Sequence, residues 1–263
     1  MDPILKWPGG KRHLLKTLLP LTSKATGCYF EPFLGGGALY FAVAPQRAIL
    51  GDINADLINF YEQVVTHRRL LIKQISTFKN NATTYYKVRA SSPVRAVDRA
   101  ARFFFLNKTC FNGLYRTNLL GQFNVPFGNN RRATAANVDC FRDAATLLRN
   151  ATLKVADFEN TCGLASKGDV VFLDPPYTVA HENNGFVRYN AALFTWNDQA
   201  RLRDVVECLS RRGIRFVLTN ANHPSIERLY RGFTQQYITK MSLLSADRHF
   251  RRPVSELVVT NCY

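Results

Sequence analysis

The stretch Asp169-Val170-Val171-Phe172-Leu173-Asp174-Pro175-Pro176-Tyr177 decides the fold class. Its first half is apolar and β-branched, which predicts a strand, and its second half contains two prolines, which the interior of a sheet does not tolerate. The strand is therefore expected to end where Asp174 begins a turn. In an open α/β sheet ligands bind beyond the carboxyl ends of the strands, and Asp174 and Tyr177 stand at such a position.

Strand and helix patterns alternate on both sides of this stretch. Four more apolar runs predict strands, at 28–30, 48–50, 215–219 and 256–260. The helical patterns lie at 11–19, where Pro20 is expected to end the helix, at 38–43, after Asn54 as a cap, and after Thr195, which forms a capping box with Asp198. This alternation predicts an α/β fold with a mostly parallel sheet covered by helices on both faces.

The middle of the chain differs in composition. From Thr66 to Asn150 the strand signals fade, and Arg, Lys, Asn, Thr and aromatic residues dominate, with helical runs such as 93–106. We predict an inserted, mainly helical domain at 66–149. The segments 1–65 and 150–263 then form one α/β domain, which the chain of 263 residues is long enough to supply with a full core.

The charge balance indicates a polyanionic partner. The chain has 35 Lys and Arg residues against 19 Asp and Glu residues, a formal net charge of +16. Basic residues are scattered among apolar ones, which favours a folded surface with a positive face, and nucleic acid is the simplest partner for such a face. Charge alone does not separate DNA from RNA or from a membrane surface, and charge that serves only solubility is the alternative.

Cysteine spacing and hydropathy bear on metal binding and location. The six cysteines lie far apart without a C-x-x-C pair, so we expect no metal site. The first residues lack a basic region followed by an apolar one, and nowhere do eighteen apolar residues run together. We therefore expect no membrane association and a cytoplasmic protein.

A glycine turn marks a second candidate site. Glu31-Pro32-Phe33-Leu34-Gly35-Gly36-Gly37 lies between a predicted strand and a helix, and Asp52 ends the next strand. Glycines let the backbone approach a ligand, and a carboxylate at that strand end can accept hydrogen bonds from ribose hydroxyls. The dinucleotide pattern G-x-G-x-x-G is absent because position 40 is Tyr40. A tight turn without a ligand is the alternative.

The Asp174-Pro175-Pro176-Tyr177 turn carries groups that suit a base. An aspartate and a carbonyl oxygen are both acceptors, so together they can hold an exocyclic amino group, and Tyr177 offers a face on which a base can stack. The alternative is a structural turn with an aromatic lid. Asp174 has no evident structural duty in such a turn.

Taken in order, these motifs resemble one family. Lys6-Trp7-Pro8-Gly9-Gly10-Lys11, the glycine turn and the Asp174-Pro175-Pro176-Tyr177 turn are similar to the motifs of the Dam-like (D12) class of adenine-N6 DNA methyltransferases. The insert adds a stretch at 107–116 and another at 121–128 that look like the recognition hairpin of members that methylate GATC. The resemblance covers nearly the whole chain and implies a Rossmann-like methyltransferase sheet with an inserted DNA-recognition domain at 66–149.

The resemblance also implies roles for single residues. The positions that match those around the cofactor S-adenosylmethionine are Trp7, Lys11, Phe33, Gly35, Gly37, Asp52, Asp157, Phe158 and Asp174. The positions that match the target-adenine site are Asp174, Pro175, Pro176 and Tyr177. The positions that match contacts to double-stranded DNA are Lys6, Phe111, Asn112, Leu114, Arg116 and Pro126.

Elementary chemistry supports two of these assignments and leaves an alternative for each. Arg116 has the planar fork that pairs with guanine, although a phosphate contact is the alternative. Phe111 lacks a hydrogen-bonding tip and suits a wedge between bases, although for Phe111 and Leu114 an ordinary place in the core is the alternative. Four basic residues near the end of the chain are candidates for phosphate contacts or a solvated loop, namely Lys240, Arg248, Arg251 and Arg252.

The expected activity is methylation of N6 of an adenine flipped out of the duplex, within GATC, by a protein that is a monomer in solution. Methylation of cytosine N4 or of a base in RNA is one alternative, and a non-catalytic DNA-binding module is the other. The aspartate at the head of the Pro-Pro-Tyr sequence favours adenine, by resemblance to the family. A role in restriction-modification, in repair marking or in a mobile element stays open.

Overall fold

The computed structural model describes residues 1–23, 26–118, 120–129, 138–178, 194–241 and 253–262. Short 3-10 helices span Lys11–Leu14 and Phe111–Gly113. The α-helices within the described ranges are α1 Leu15–Thr22, α2 Ala38–Val43, α3 Ala55–Thr66, α4 Arg68–Ser76, α5 Ala82–Ala90, α6 Ala96–Thr109, α7 Val138–Leu148, α8 Phe158–Gly163, α9 Trp196–Arg211 and α10 Pro224–Leu229.

The strands of the same ranges form one sheet. They are β1 Tyr29–Glu31, β2 Ala48–Asp52, β3 Ala151–Val155, β4 Val170–Leu173, β5 Arg215–Ala221, β6 Thr234–Met241 and β7 Pro253–Thr260. The seven strands follow the order β3-β2-β1-β4-β5-β7-β6. The predicted α/β, Rossmann-like sheet is confirmed.

Two compact units divide the chain. The first contains Met1–Lys11, Leu34–Gln46 and Leu50–Ala156, and the second contains Arg12–Phe33, Arg47–Ile49 and Asp157–Tyr263. Strand β2 contributes residues to both. The predicted recognition segment 66–149 lies inside the first unit, and its separation as a domain stays a prediction.

The second unit contains both parallel and antiparallel ladders. Strand β4 is parallel to β1 and to β5. Strand β7 is antiparallel to β5 and to β6, which gives the expected sheet one antiparallel edge. Among the strands that the structure describes, β7 follows β6 in sequence, and antiparallel neighbours do not require the long crossover connection that parallel neighbours need. Strand β4 is buried along its whole length, as its apolar sequence predicts.

Two edge strands were not predicted from the sequence. Strand β3 has no fully buried residue, and β6 is rich in Gln and Thr. An edge strand has one unpaired side and needs little apolar surface, so its sequence carries only a weak strand signal.

The expectation that Pro20 ends the first helix is wrong. Helix α1 continues past it to Thr22. A proline removes only its own amide bond, and the next turn keeps its carbonyl partners: the amide of Ser23 donates to Leu19 O at 2.9 Å, and the hydroxyl of Thr22 donates to Leu18 O at 2.9 Å. Leu18 is fully buried, which holds this last turn in place.

The predicted helix starts at Asn54 and Thr195 are confirmed. Asn54 accepts from the amides of Asp56 and Leu57, and Thr195 forms a reciprocal capping box with Asp198. The N-cap Asn54 therefore lies two residues after Asp52, and its amide donates to that carboxylate. Among the residues the structure describes, every helix is too short or too polar to span a bilayer.

Candidate active site

The glycine turn of the first unit follows the predicted path. The amide of Gly37 donates to Leu34 O at 2.8 Å, and Gly35 and Gly37 have φ values of +48° and +64°. A Cβ added at Gly35 would lie 2.7 Å from Cδ1 of Trp7. Glycine is therefore required at position 35 for two reasons. The backbone there is left-handed, and the Trp7 indole approaches it closely.

Asp52 is bonded to this turn. Its Oδ2 accepts from the amide of Gly35 at 3.0 Å and its Oδ1 from the amide of Asn54 at 2.9 Å. Burial raises the pKa of Asp52 to about 6, and the two amide bonds act in the opposite direction. The structure thus brings together three residues predicted to bind a cofactor, Trp7, Gly35 and Asp52.

Trp7 also contacts the recognition segment of the same unit. Its ring stacks on Tyr115, with centroids 5.4 Å apart. The preceding residue, Lys6, is held by Asn107, whose Nδ2 donates to Lys6 O at 2.6 Å and whose Oδ1 accepts from Lys6 N at 3.0 Å. Lys11 is buried, and its Nζ donates to Gly9 O at 2.6 Å. Residues 6–11 therefore pack against the glycine turn and the end of α6.

The predicted recognition stretch forms a short antiparallel hairpin after α6. The amide of Asn124 donates to Arg116 O at 3.0 Å, and Thr117 forms an antiparallel bridge with Phe123. Arg116 is exposed, and its Nε donates to Asn124 Oδ1 at 2.8 Å. This bond holds the Arg116 side chain against the hairpin.

Exposure separates the residues predicted to touch DNA. Phe111 is 51% exposed, so a place in the core is excluded for it, whereas Leu114 is half-buried and packs against the cluster around Tyr85 and Phe105. The remaining members of this group are exposed, namely Lys6, Asn112, Arg116 and Pro126. The ring of Phe111 is therefore accessible to a partner molecule.

In the second unit, three phenylalanines pack together. Phe33 stacks on Phe158 with centroids 5.3 Å apart, and Phe194 contacts both rings. The Arg201 guanidinium lies 4.9 Å from the centroid of the Phe158 ring and pairs with Asp157 at 2.9 Å. Two of the predicted cofactor residues, Phe33 and Phe158, are therefore in contact. Arg201 and Phe194 were missed by sequence reasoning, since no local pattern marks them.

The carboxyl end of β4 holds the last predicted group. Oδ1 of Asp174 accepts a hydrogen bond from the hydroxyl of Thr219 on β5 at 2.7 Å. The hydroxyl of Tyr177 donates to Oε2 of Glu256 on β7 at 2.8 Å. Burial and the carboxylates of Asp174 and Glu256 raise the pKa of Tyr177 well above its usual value, so the phenol stays protonated and donates.

For several residues predicted to bind the base or DNA, the structure describes no side-chain contact with the site residues above. Pro175 is buried and Pro176 half-buried in the turn. Nothing is described of the side chain of Lys240, and Arg248, Arg251 and Arg252 lie outside the described residues. Sequence reasoning also missed Thr219 and Glu256. Glu256 left a signal, because it is an acid within an otherwise apolar strand.

Fold and site together define a class of protein: an α/β enzyme whose acceptor and aromatic groups follow the carboxyl ends of its strands. The family model of D12 class N6 adenine-specific DNA methyltransferases matches residues 7–243, and the chain belongs to this family.

Curated relatives match the chain over nearly their whole length. The chain is 36% identical to the Type II methyltransferase M1.LlaDCHI of Lactococcus lactis subsp. cremoris, over 99% of this chain and 95% of the relative. It is 32% identical to the Type II methyltransferase M.MjaIII of Methanocaldococcus jannaschii, over 99% of both chains. It is 31% identical to a DNA adenine methylase of Vibrio cholerae, over 97% of this chain and 94% of the relative.

The protein is therefore an adenine-specific DNA methyltransferase, and it acts on DNA. The family match decides against the alternatives of a cytosine-N4 enzyme, an RNA enzyme and a non-catalytic module. It also confirms the family resemblance drawn from the motifs.

Proposed function

We propose that this methyltransferase transfers the methyl group of S-adenosylmethionine to N6 of an adenine that is flipped out of a GATC site in duplex DNA. The observation that carries the proposal is Asp174 at the end of β4, with one oxygen fixed by Thr219 and with Tyr177 three residues further on. An oriented carboxylate beside an aromatic ring suits an amino group on a flat base.

The residues present suit the cofactor. The Asp52 carboxylate is an acceptor for ribose hydroxyls, and the Phe33 and Phe158 rings offer an apolar surface for an adenine ring. We assign cofactor binding to these three and to Trp7, Lys11, Gly35, Gly37, Asp157 and Asp174. When bound, S-adenosylmethionine supplies a methyl group on a sulfonium, an electrophile that needs no covalent enzyme intermediate.

The chain's own groups orient the acceptor base. Asp174 and the carbonyl oxygen of Pro175 accept the two N6 hydrogens, and the ring of Tyr177 stacks on the base, while Pro176 stiffens the turn. The amino lone pair is then directed out of the plane defined by the acceptors. Rate enhancement comes from this positioning and from the fixed negative charge of Asp174.

DNA contacts are assigned to Lys6, Phe111, Asn112, Leu114, Arg116 and Pro126. Phe111 is the wedge that fills the space left by the flipped nucleotide, because it is exposed and cannot hydrogen-bond. Arg116 reads a guanine. The net charge of +16 supports binding to the phosphate backbone. We place these contacts in a recognition domain at 66–149, with catalysis in 1–65 and 150–263.

The test uses DNA from cells that express the protein, digested with nucleases that distinguish methylated from unmethylated GATC. Nucleosides from the same DNA are separated by chromatography and identified by mass spectrometry, which distinguishes N6-methyladenine from a methylated cytosine. Resistance at GATC together with N6-methyladenine is the expected result. N6-methyladenine without protection at GATC would overturn the proposed site and leave the chemistry intact.

A further inference from the structure

Glu256 is an anomaly in the last strand. It lies in β7 next to Leu257 and Val258, and it is only 3% exposed. A buried carboxylate is strongly unfavourable unless charged or hydrogen-bonding partners compensate for its lost hydration. The partners of Glu256 therefore indicate why an acid stands at this position.

Each oxygen of Glu256 has a described partner. Oε2 accepts from the Tyr177 hydroxyl at 2.8 Å, and Oε1 lies 3.0 Å from Nε2 of His13. The three residues come from distant parts of the sequence: the 3-10 helix Lys11–Leu14, the turn after β4, and β7. They meet within one compact unit.

The carboxylate is itself rigidly placed. Glu256 pairs with Ala221 at the end of the ladder between β7 and β5 and with Ile238 within the ladder between β7 and β6, so its backbone has a strand partner on both sides. His13, whose side chain is 30% exposed, lies against the other oxygen of the carboxylate. A fixed acceptor thus meets the outer end of the Tyr177 ring.

We propose that Glu256 and His13 are positioning residues that clamp the hydroxyl of Tyr177 and so fix the plane of its ring for the target base. The clamp rests on the proposed function, in which Tyr177 stacks on the flipped adenine. A tyrosine ring turns about two side-chain bonds. Holding the hydroxyl oxygen restricts the first of these torsions. The O–H bond of a phenol prefers the plane of the ring, so the direction of the fixed Glu256 acceptor also sets the ring plane. Stacking then delivers the base at one orientation relative to Asp174.

Positioning of this kind affects turnover more than binding. A displacement of about 1 Å in a reacting group costs on the order of 100-fold in rate. Affinity for duplex DNA is dominated by phosphate contacts, and the clamp contributes none. If Glu256 served only folding, replacing it would instead lower the stability of the protein and leave the turnover of the folded fraction unchanged.

The experiment compares Tyr177→Phe, Glu256→Gln and His13→Gln with the parent. Tyr177→Phe keeps the ring and removes only the anchored hydroxyl. Tyr237→Phe is its matched control, because Tyr237 lies on β6 with 52% of its surface exposed. Glu207→Gln is the control for Glu256→Gln, because Glu207 lies on α9 and pairs across the helix surface with Arg203.

Two readouts separate positioning from folding. The first is kcat and KM on a GATC duplex, with duplex and cofactor affinities measured separately. The second is the fluorescence of a duplex with 2-aminopurine in place of the target adenine, because stacking on an aromatic ring quenches this base. Thermal unfolding of every variant shows whether the fold is intact.

We expect Tyr177→Phe and Glu256→Gln to lower kcat by about 10- to 100-fold, with both affinities within about twofold of the parent. His13→Gln should lower kcat by a smaller factor. The 2-aminopurine fluorescence should be brighter in all three variants, because an aromatic ring at position 177 that is no longer anchored stacks less on the base and quenches it less. The controls should match the parent.

Parental kcat and fluorescence in Tyr177→Phe would overturn the clamp, even if Glu256→Gln does not fold. A parent that methylates no adenine in any duplex would overturn the proposed function, and the clamp with it. Because the parent is measured in the same series, the two failures are distinguishable.

Discussion

The amide of Gly35 donates to the carboxylate of Asp52 at 3.0 Å, so the glycine turn is tied to the end of β2 by a side chain that itself is a candidate cofactor ligand. The pKa of Asp52 is raised to about 6 by burial. Its charge therefore changes close to neutral pH. A ribose hydroxyl donates most strongly to the ionised form, and this links cofactor binding to pH.

Cofactor affinity should fall as the pH is lowered through about 6. Protonated Asp52 has lost an acceptor, so below its pKa the dissociation constant of S-adenosylmethionine should rise by up to about tenfold for each pH unit. Calorimetric titration between about pH 8 and about pH 5 measures this. Asp52→Asn should bind weakly throughout and show a flat profile. A parental profile that is equally flat would remove Asp52 from the cofactor site.

The same carboxyl should also make the stability of the protein depend on pH. Its effect on stability has the opposite sign to its effect on cofactor affinity, because protonation of Asp52 favours the folded state. Its folded pKa of about 6 lies above the ordinary value of 3.8, so the native state binds the proton more tightly than the unfolded state. The free energy of unfolding should therefore decrease as the pH rises from about 4 to about 6. Urea denaturation of parent and Asp52→Asn across this range isolates the contribution, because the variant lacks the titrating group. An identical pH dependence in both proteins would contradict the raised pKa.

Gly35→Ala and Gly121→Ala should differ although both glycines have a left-handed backbone. The φ values are +48° and +72°, and the backbone strain costs about 1–2 kcal/mol at either site. Only at Gly35 does the new methyl meet another group, the Trp7 ring at 2.7 Å, since nothing lies within 4 Å of a Cβ at Gly121. Gly35→Ala should displace Trp7 and weaken cofactor binding.

The measurement for this pair uses Trp7 fluorescence in a Trp196→Phe background, which leaves Trp7 as the only indole. A shifted emission maximum together with cofactor affinity reduced by about tenfold or more is expected for Gly35→Ala, from a loss of about 1.4 kcal/mol or more. Gly121→Ala should retain the parental spectrum. Equal behaviour of the two variants would mean that Trp7 does not depend on Gly35.

Strand β4 and the turn that follows it could be predicted because their signals are local. An apolar run that ends in Asp174-Pro175-Pro176-Tyr177 specifies a buried strand and its end without reference to the rest of the chain. The caps at Asn54 and Thr195 are local in the same way. The edge strands β3 and β6 could not be predicted from the sequence. Each is held by hydrogen bonds to one neighbouring strand and contains no continuous apolar run that would indicate a strand.

The partners of the site residues could not be predicted, because each is distant in sequence. Thr219 is separated from Asp174 by 45 positions, and Glu256 from Tyr177 by 79. A threonine in a strand is also a common residue, so its hydroxyl carries no signal before the strands are paired. What sequence reasoning supplies is a set of candidate site residues. What the fold adds is the set of groups that hold them.

Asp174→Ala should abolish methyl transfer and leave duplex affinity within about twofold of the parent, because Asp174 makes no contribution to the phosphate contacts that dominate affinity. Transfer of tritium from labelled cofactor and a binding titration with a GATC duplex measure the two quantities. Asp204→Ala, on the exposed face of α9, is the control. Activity of Asp174→Ala within a few-fold of the parent would exclude Asp174 as the residue that orients N6.

Arg116 should read one guanine of the site. Its Nε is occupied by Asn124 Oδ1 at 2.8 Å, a bond that steadies the guanidinium and leaves its Nη edge for a bidentate contact with O6 and N7 of guanine. Arg116→Ala should then cost ~1–3 kcal/mol at the correct site and relax discrimination at one base position. Arg116→Lys keeps the charge but not the fork and should relax the same position.

A phosphate contact by Arg116 predicts a different pattern. Arg116→Ala would then weaken binding to all sequences about equally and lower the slope of affinity against salt by roughly one unit, whereas Arg116→Lys would be close to the parent. The assay measures methylation and affinity for duplexes with single substitutions in GATC, for the parent and both variants, over a range of salt. Asn124→Ala, which frees Nε, should show a weaker form of the base-specific defect, because the fork is present but no longer held. Uniform loss across the duplex series in Arg116→Ala would assign the residue to the backbone and leave the guanine to another side chain of the hairpin.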